Sequence, residues 1–270
     1  MILIKMIKKP KKSLGQNFLT AQSVVDKIIE TAKLDSKDIV LEVGTGKGIL
    51  TEALLKKTLK VISIEKDDEL ISYLQEKFKD EIKNGKLILV HGDILTFDFE
   101  KYELRNNDYK IVANIPYYIT GEFLRKILSS DIKPSRMVLL VQKEVAERIA
   151  RSKKESILSI SVKAYGEPKY IQTIKAGSFS PTPKVDSAVL SIENISKDFF
   201  DKINEKKFFK IVKTGFVHKR KFLISNLSTL ENKEKLKKVF NQVDISEKVR
   251  AEEVSLEQWK KFIKFFEIDN

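Results

Sequence analysis

The segment that constrains the fold most strongly is Ile39-Val40-Leu41-Glu42-Val43-Gly44-Thr45-Gly46-Lys47-Gly48. Its first five residues predict a buried strand, and the helical pattern of Ile49–Lys57 follows the glycine loop at once. Glycines at such a strand end let the backbone turn tightly and let a ligand approach the main chain closely. The loop is not a phosphate-binding P-loop, because the glycine–lysine spacing differs and no Ser or Thr follows Lys47. It is not the G-x-G-x-x-G of dinucleotide sites either, because the third glycine comes one residue early.

The alternation of short apolar runs and helical patterns continues along the chain. The predicted strands are Ile39–Val43, Val61–Ile64, Leu87–Val90, Lys110–Ala113 and Met137–Val141, and the predicted helices are Ile49–Lys57, Asp67–Lys79, Gly121–Leu128 and one that begins near Lys143. Continuous apolar strands that alternate with helices indicate a parallel sheet covered on both faces. Two later runs, Tyr170–Ile174 and Ser187–Ile192, predict an antiparallel pair at one edge. The fold class is therefore α/β with a mostly parallel sheet.

The character of the sequence changes after about Ile195, where only helical patterns follow. Apolar residues between Phe208 and Phe216 share one helical face, and Ser255-Leu256-Glu257-Gln258 has the pattern of a capping box before a last helix. The expected parts are a lysine-rich basic arm at 1–12, a main domain at 13–195 and a small helical domain at 196–270.

The composition favours a polyanionic partner. The 270 residues include 51 lysines and arginines against 38 acids, a formal net charge of +13 that suits nucleic acid better than an anionic membrane. A lysine-rich, solvated surface is the simpler explanation of the same excess. The absence of cysteine excludes disulfides and cysteine nucleophiles, and two histidines argue against a metal site. No apolar run approaches the roughly 20 residues that cross a bilayer, so we expect a cytosolic protein without a membrane partner.

Groups at three successive strand ends predict a nucleoside-type cofactor. Glu42, directly before the glycines, suits a ligand with a cationic part such as S-adenosylmethionine. Glu65 ends the second strand about 20 residues after the loop, where a carboxylate can accept hydrogen bonds from both ribose hydroxyls. Asp93 follows the third strand, in position to meet an adenine amino group. Each feature alone fits an ordinary strand-end turn, whereas the succession favours S-adenosylmethionine.

The segment Asn114-Ile115-Pro116-Tyr117 follows the fourth predicted strand and suggests a slot for a flat, hydrogen-bonding ring. The exocyclic amine of adenine is a weak nucleophile, and two acceptors on its hydrogens would hold its lone pair toward a methyl donor. The Asn114 side-chain oxygen and the Ile115 carbonyl could supply them. Pro116 would fix the turn, and Tyr117 could stack on the base at roughly 1–3 kcal/mol. The target nucleotide would have to be flipped out or single-stranded. A proline turn whose tyrosines pack on a helix is the alternative.

Two further segments suggest contacts with a nucleic acid. Phe179 opens the proline-bearing loop Phe179–Val185 and offers a second aromatic ring, although a stiff linker between edge strands explains the loop equally well. A basic helix is predicted around Lys206–Lys221, and a solvated amphipathic face is its alternative. The residues expected to hold phosphates are Lys206, Lys210, Lys213, Lys219, Arg220 and Lys221.

Five motifs in order resemble the KsgA-type small-subunit rRNA adenine dimethyltransferases, over about Lys12 to Phe262. They are Lys12-Ser13-Leu14-Gly15-Gln16-Asn17-Phe18-Leu19, Leu41–Gly48, Asn114–Tyr118, Val141–Ala146 and Phe179–Val189. The resemblance implies a Rossmann-like class I methyltransferase that depends on S-adenosylmethionine, with a seven-stranded sheet and an all-α C-terminal domain. It implies transfer of four methyl groups to two adjacent adenosines near the 3′ end of small-subunit (16S) rRNA, within a late assembly intermediate.

The resemblance also assigns residues and partners. Carried over position by position, the cofactor-binding residues would be Asn17, Leu19, Gly44, Glu65, Asp93 and Asn114. The catalytic motif would be Asn114, Ile115, Pro116 and Tyr117, with Phe179 as the partner stacking residue. The expected partners are the small ribosomal subunit precursor and its rRNA, the chain itself is expected to be a monomer, and no metal is implied.

Three alternatives remain open at this point. Erm enzymes, which methylate one adenosine of large-subunit rRNA, share the Gln-Asn-Phe-Leu and Asn-Ile-Pro-Tyr signatures, but Gln142–Val145, Lys184–Val189 and Arg250–Leu256 resemble the KsgA type. A non-catalytic assembly factor would bind the subunit without reaction. A small-molecule methyltransferase would need neither the basic arm nor the helical tail. Two departures from the family pattern, at Pro181-Thr182-Pro183 and within Phe216-Val217-His218-Lys219-Arg220-Lys221, where Phe-x-Gln-Arg-Arg-Lys is expected, concern RNA contacts rather than the reaction.

Overall fold

The structure is a computed structural model that describes residues 10–11 and 14–267. Its described part divides into two compact units, one of the residues up to Ala146 together with Glu167–Ile195, and one of Glu147–Gly166 together with the residues from Ser196 onward. The division groups Glu147–Gly166 with the C-terminal helices, whereas the sequence placed this segment in the main domain. Most of the predicted basic arm, residues 1–9 and 12, lies outside the described residues.

The first unit is built on a seven-stranded sheet, with a separate two-stranded ladder beside it. The strands are β1 (Phe18–Leu19), β2 (Ile39–Val43), β3 (Lys60–Glu65), β4 (Leu87–His91), β5 (Tyr109–Asn114), β6 (Arg136–Gln142), β7 (Glu167–Ile174), β8 (Phe179–Ser180) and β9 (Ser187–Glu193). The order in the large sheet is β4-β3-β2-β5-β6-β9-β7, and β1 pairs with β8 in the small ladder. The predicted mostly parallel seven-stranded sheet is confirmed.

The connectivity of the sheet determines where a ligand can bind. The chain runs from β2 outward through β3 to β4, and then returns to place β5 on the other side of β2. Leu41 in β2 is paired in parallel with Ile62 on one side and with Ile111 on the other. Ligands of open α/β sheets bind outside the carboxyl ends of the strands at such a reversal of order. Both the glycine loop and Asn114 lie at that point.

The last two strands of the sheet are antiparallel, as predicted. Strand β9 pairs with β6, with Leu190 opposite Leu139, and β7 forms the edge by pairing antiparallel with β9. Ser187 to Ile192 of β9 are fully buried because both neighbouring strands and the covering helices exclude water. This insertion of β9 brings its first residue, Ser187, beside the end of β6.

Helices cover both faces of the sheet. They are α1 (Gln22–Ala32), α2 (Ile49–Leu55), α3 (Asp68–Lys77), α4 (Lys79–Lys83), α5 (Thr120–Ser129) and the first part of α6 (Lys143–Ala150). The predicted helix Asp67–Lys79 is interrupted at Phe78, which separates α3 from α4. Asp67 begins α3 as its N-cap, because its side chain accepts a hydrogen bond from the Glu69 amide at 3.1 Å.

The second unit is entirely helical in its described residues. Its helices are α7 (Ile157–Tyr165), α8 (Glu205–Gly215), α9 (Leu223–Leu227), α10 (Lys233–Gln242) and α11 (Leu256–Glu267). Four large aromatic side chains, Phe208, Phe240, Trp259 and Phe262, are completely buried in its core. The predicted capping box is confirmed, since Ser255 and Gln258 exchange side-chain to amide hydrogen bonds at 3.0 and 3.2 Å. No helix in the described part of the chain combines the length and apolar character needed to cross a bilayer.

Candidate active site

A cleft that is open to solvent lies at the carboxyl ends of β2 to β5. The walls come from segments that are far apart in the sequence. They are Leu14–Phe18, the glycine loop after β2, Ile64–Lys66, Gly92–Ile94 and Asn114–Ile119. The structure therefore brings together most of the residues predicted for the cofactor and for the target base.

The glycine loop is held tightly between its neighbours. The Gly44 amide donates to the Ile64 carbonyl at 2.9 Å, and Gly44 has a φ of +78°. A Cβ at this position would lie 3.3 Å from the Asn114 carbonyl oxygen. At Gly48, with a φ of +77°, a Cβ would lie 2.6 Å from the Phe78 ring. Glycine is favoured at both positions, because a side chain would be strained in the left-handed conformation and would crowd the Asn114 carbonyl at Gly44 or the Phe78 ring at Gly48.

The interpretation of Glu42 as a ligand-facing acid is wrong. Glu42 is completely buried and does not line the cleft. Its Oε2 accepts hydrogen bonds from Thr51 and Ser63, both at 2.7 Å. Ser63 is the direct neighbour of Glu42 across β2 and β3, so both side chains point to the same covered face of the sheet. Burial raises the pKa of Glu42 to about 7, although these two hydrogen bonds favour the carboxylate.

Glu65 is the acid that reaches the cleft. It is the last residue of β3 and is only 7% exposed. Its carboxylate accepts three backbone hydrogen bonds at 2.9 Å, from the amides of Gly46, Lys66 and Asp67. Burial raises the pKa of Glu65, although these three amides favour the ionised form. The glycine loop is thus fastened to the residue predicted to bind a ribose.

Asp93 lies at the next strand end and has two partners. One oxygen accepts from the Leu95 amide at 2.9 Å, and the other accepts from the Lys66 ammonium at 2.8 Å. Partial burial disfavours ionisation, but the hydrogen bonds from Lys66 and Leu95 outweigh it and lower the pKa of Asp93. Lys66 also lines the cleft. Asp93, the acceptor predicted for an adenine amino group, is therefore already paired with a cation.

Asn114 ends β5 with its side chain in the cleft. Its Nδ2 donates to the Asn17 carbonyl at 3.2 Å, and the side chain of Asn17 in turn donates to the Gly15 carbonyl at 3.2 Å. The Asn114 amide nitrogen is therefore engaged in a hydrogen bond within the protein. No donor among residues 10–11 and 14–267 reaches the Asn114 Oδ1, which therefore remains an acceptor for a ligand.

The turn after Asn114 is rigid. The Ile115 amide donates to the Leu140 carbonyl at 3.2 Å and so extends the pairing of β5 with β6. Pro116 precedes the short 3-10 helix Tyr117–Ile119. The Tyr117 hydroxyl lies 2.7 Å from Ser187 Oγ, and burial raises the pKa of this tyrosine although the Ser187 hydrogen bond lowers it. Ile115, Pro116 and Tyr117 all line the cleft.

The segment before β1 forms one wall of the cleft and is attached to α3. Asp67, 4% exposed in its side chain, accepts from the Lys11 ammonium and from the Gln16 amide, both at 2.6 Å. The Lys11 amide donates to the Gln16 Oε1 at 2.7 Å. Burial opposes ionisation of Asp67, but these partners lower its pKa. The attachment holds Gln16 and Asn17 against the cofactor side of the cleft.

Two predicted residues lie outside the cleft. Phe179 is only 4% exposed and belongs to the hydrophobic core, with its strand paired to β1 opposite Leu19. Leu19 is likewise buried and does not line the cleft. A ring that packs in the core has no free face for a base, so the structure gives no support to Phe179 as a second stacking residue.

The predicted phosphate-binding residues belong to the helical unit and are all exposed. Lys206, Lys210 and Lys213 lie on the outer face of α8, opposite its buried apolar residues. The predicted helix extended to Lys221, but α8 ends at Gly215, which lies so close to Trp259 that a Cβ would be 2.7 Å from the indole. The cations from Lys219 to Lys221 are therefore in a turn before α9 rather than on the helix.

Three polar residues in or next to the cleft, Lys66, Gln16 and Ser187, were given no role from the sequence. Lys66 follows Glu65 and Gln16 precedes Asn17, so their proximity to predicted residues is a signal that the sequence contains. Ser187 lies within the motif Phe179–Val189, but its contact with Tyr117 has no local signal, because the two residues are 70 positions apart and meet only through the insertion of β9.

The reversal of strand order, the glycine loop and the polar groups at the ends of β3, β4 and β5 are typical of a class I methyltransferase of the Rossmann-like type. The model of the family described as ribosomal RNA adenine dimethylase matches residues 7–267. The chain belongs to this family.

Relatives and solved structures agree with that membership. A ribosomal RNA small subunit methyltransferase A from Fusobacterium nucleatum is 42% identical over 264 residues, which cover 96% of this chain and 98% of the relative. The protein of the same name from Clostridium botulinum strain Kyoto is 37% identical, with 93% and 91% covered. The structure of a dimethyladenosine transferase from Plasmodium falciparum matches with a TM-score of 0.79 at 28% identity, covering 93% and 98%. A 23S rRNA methyltransferase, ErmE, has a TM-score of 0.75 at 22% identity over 93% and 100%, and this likeness shows the fold alone.

Proposed function

We propose that the protein transfers methyl groups from S-adenosylmethionine to the N6 amines of two adjacent adenosines near the 3′ end of small-subunit (16S) rRNA. The observation that carries the proposal is the arrangement of Asn114, a residue of the cleft lining whose nitrogen donates to the Asn17 carbonyl and whose oxygen accepts from no donor within the described residues. Relatives at 37–42% identity carry the name of a small-subunit rRNA methyltransferase, which supports the choice of RNA.

The residues of the cleft fit S-adenosylmethionine. Gly44 and Gly46 both line the cleft at the end of β2, where a residue without a side chain lets a ligand approach the main chain. Glu65 presents a buried carboxylate where the hydroxyls of a ribose would be, and Asp93 offers a carboxylate one strand further on. When bound, S-adenosylmethionine supplies an electrophilic methyl group on a sulfonium centre. Asn17 would complete the wall between this group and the base.

The chain's own contribution to catalysis is alignment. Asn114 Oδ1 and the Ile115 carbonyl accept hydrogen bonds from the target amine, so that its lone pair is directed away from the ring plane and toward the donor. Holding reactants in line can contribute on the order of 7–11 kcal/mol. Each transfer forms a nitrogen–carbon bond, breaks a sulfur–carbon bond and releases one amine proton. An amide side chain cannot take that proton permanently, so it leaves to solvent after the transfer.

Tyr117 provides the surface on which the base would stack. Its ring lines the cleft next to the two acceptors, and stacking on an aromatic side chain contributes roughly 1–3 kcal/mol. A base inside a helix cannot reach this position, so the nucleotide must be unstacked first. The exposed cations of the helical unit would hold phosphates of the rRNA and make the affinity dependent on salt.

The proposal is tested by supplying labelled S-adenosylmethionine and under-methylated small subunits, and then analysing the nucleosides of the digested rRNA. N6,N6-dimethyladenosine is the expected product, and fully methylated subunits are the negative control. Tight subunit binding without any product would support a non-catalytic assembly factor. Robust methylation of a free small amine would support a small-molecule methyltransferase.

A further inference from the structure

The hydroxyl end of Tyr117 contacts Ser187, a residue for which the sequence predicted no role. The tyrosine hydroxyl lies 2.7 Å from Ser187 Oγ. Ser187 is the first residue of β9 and is fully buried, with backbone partners in both β6 and β7. Because it is embedded between two strands, Ser187 cannot follow a movement of the tyrosine ring.

The backbone end of Tyr117 is fixed as well. The Ile115 amide is bound to the Leu140 carbonyl at 3.2 Å, and the Pro116 carbonyl accepts from the Ile119 amide at 3.1 Å. A tyrosine ring on a fixed backbone can still swing about its two side-chain torsions. The hydrogen bond to Ser187 anchors the hydroxyl end of the ring, so the direction of the ring's long axis, and with it the first of these torsions, is held from both ends.

We propose that Ser187 is a positioning residue that fixes the ring of Tyr117, and that this restraint matters more for the second methyl transfer to each adenosine than for the first. The proposal rests on the proposed function, since it concerns the base that stacks on Tyr117. Ser187 itself need not touch the base or the cofactor.

The difference between the two transfers follows from the number of amine hydrogens. An unmodified adenine has two, which can satisfy both Asn114 Oδ1 and the Ile115 carbonyl. N6-methyladenine has one, so one of the two acceptors faces a methyl group and contributes no hydrogen bond. With one hydrogen bond fewer, the orientation of the base depends more strongly on stacking against a ring whose long axis is held in place.

The experiment compares four variants with the wild type on under-methylated small subunits, with N6-methyladenosine and N6,N6-dimethyladenosine quantified over time. Ser187→Ala removes one end of the hydrogen bond, Tyr117→Phe removes the other, and the double variant removes both. Ser191→Ala is the matched control, because Ser191 is an equally buried serine on the same strand whose hydroxyl approaches Glu193 rather than the cleft.

We expect the second transfer to slow by roughly 3- to 10-fold in Ser187→Ala, the range for loss of one hydrogen bond. The first transfer should change less, so N6-methyladenosine accumulates. Tyr117→Phe should give a similar product ratio, and the double variant should be no worse than the single ones, because both ends belong to one interaction. Ser191→Ala should give the wild-type ratio, and cofactor affinity should stay unchanged throughout.

A wild-type product ratio in both Ser187→Ala and Tyr117→Phe would overturn the proposal, as would fully additive effects in the double variant. Equal slowing of both transfers would reject the preference for the second one. If Ser187→Ala does not fold, Tyr117→Phe decides the question alone, since its ring and backbone are unchanged. Absence of dimethyladenosine from the wild type would refute the proposed function instead, and the inference with it.

Discussion

Replacing Asn114 by alanine should separate catalysis from cofactor binding. The side chain has two functions in the structure, because its nitrogen donates to the Asn17 carbonyl at 3.2 Å and its oxygen faces the cleft. The change therefore removes one neutral hydrogen bond within the protein and one acceptor for the target amine. These two losses differ in magnitude and affect different measurements.

The bond to Asn17 is an ordinary neutral hydrogen bond, worth about 0.5–1.5 kcal/mol. Its loss loosens the wall that carries Asn17, and the Kd for cofactor should rise by no more than roughly 10-fold. Loss of a preorganised group that acts on the reacting atoms costs about 10²–10³ in kcat. We therefore predict a fall of that size in turnover, together with a much smaller change in cofactor affinity.

The assay combines equilibrium titration of cofactor with single-turnover methylation of small subunits at saturating cofactor. Asn84→Ala is the control, because Asn84 is an exposed asparagine in the turn after α4 and lies outside the cleft. Turnover within a few-fold of the wild type would refute the acceptor role of Asn114. A loss of activity that saturating cofactor restores would assign Asn114 to cofactor binding alone.

Three other perturbations follow from the structure. Glu65→Gln would place an amide nitrogen against one of the three backbone donors and would remove the negative charge. The Kd for cofactor, measured by calorimetry, should therefore rise roughly 10- to 100-fold. An unchanged Kd would contradict the role of Glu65 in binding the ribose. The pKa of Glu42 is raised from 4.5 to about 7, so the folded state holds its proton longer than the unfolded state, and the free energy of unfolding should fall as pH rises across that window, by on the order of 3 kcal/mol. The Glu42→Gln variant should lack this pH-dependent part of the free energy of unfolding, which is measured by urea titrations at pH 5 and pH 8. An equal pH dependence in the wild type and the variant would be inconsistent with a raised pKa of Glu42. Neutralising Lys219, Arg220 and Lys221 together should reduce the salt-dependence slope of rRNA binding by about 2 to 3; identical slopes would assign these residues to a solvated surface.

The sheet could be predicted from the sequence because its strands are continuous apolar runs, and each run is followed by polar residues or glycines. Helix α7 was missed because Ile157–Tyr165 is short and largely apolar, and periodicity does not distinguish such a run from a strand. Glu42 was assigned to the ligand because it adjoins the glycine loop. Strand alternation turned its side chain to the covered face, opposite Ser63.

The remaining differences arise from tertiary packing. Phe179 belongs to a family motif, but the pairing of β8 with β1 buries its ring in the core. The attachment of Lys11 to Asp67 and the contact of Tyr117 with Ser187 join residues more than 50 positions apart. Neither depends on a local pattern, so only the folded chain reveals them.

The central claim is tested most directly by mapping the methylated adenosines. The purified protein would be incubated with labelled S-adenosylmethionine and a mixture of under-methylated small and large ribosomal subunits, and the labelled nucleotides would be located in each rRNA. Two adjacent adenosines near the 3′ end of the small-subunit rRNA, each with two methyl groups, are predicted. Label confined to an adenosine of the large-subunit rRNA would contradict the account.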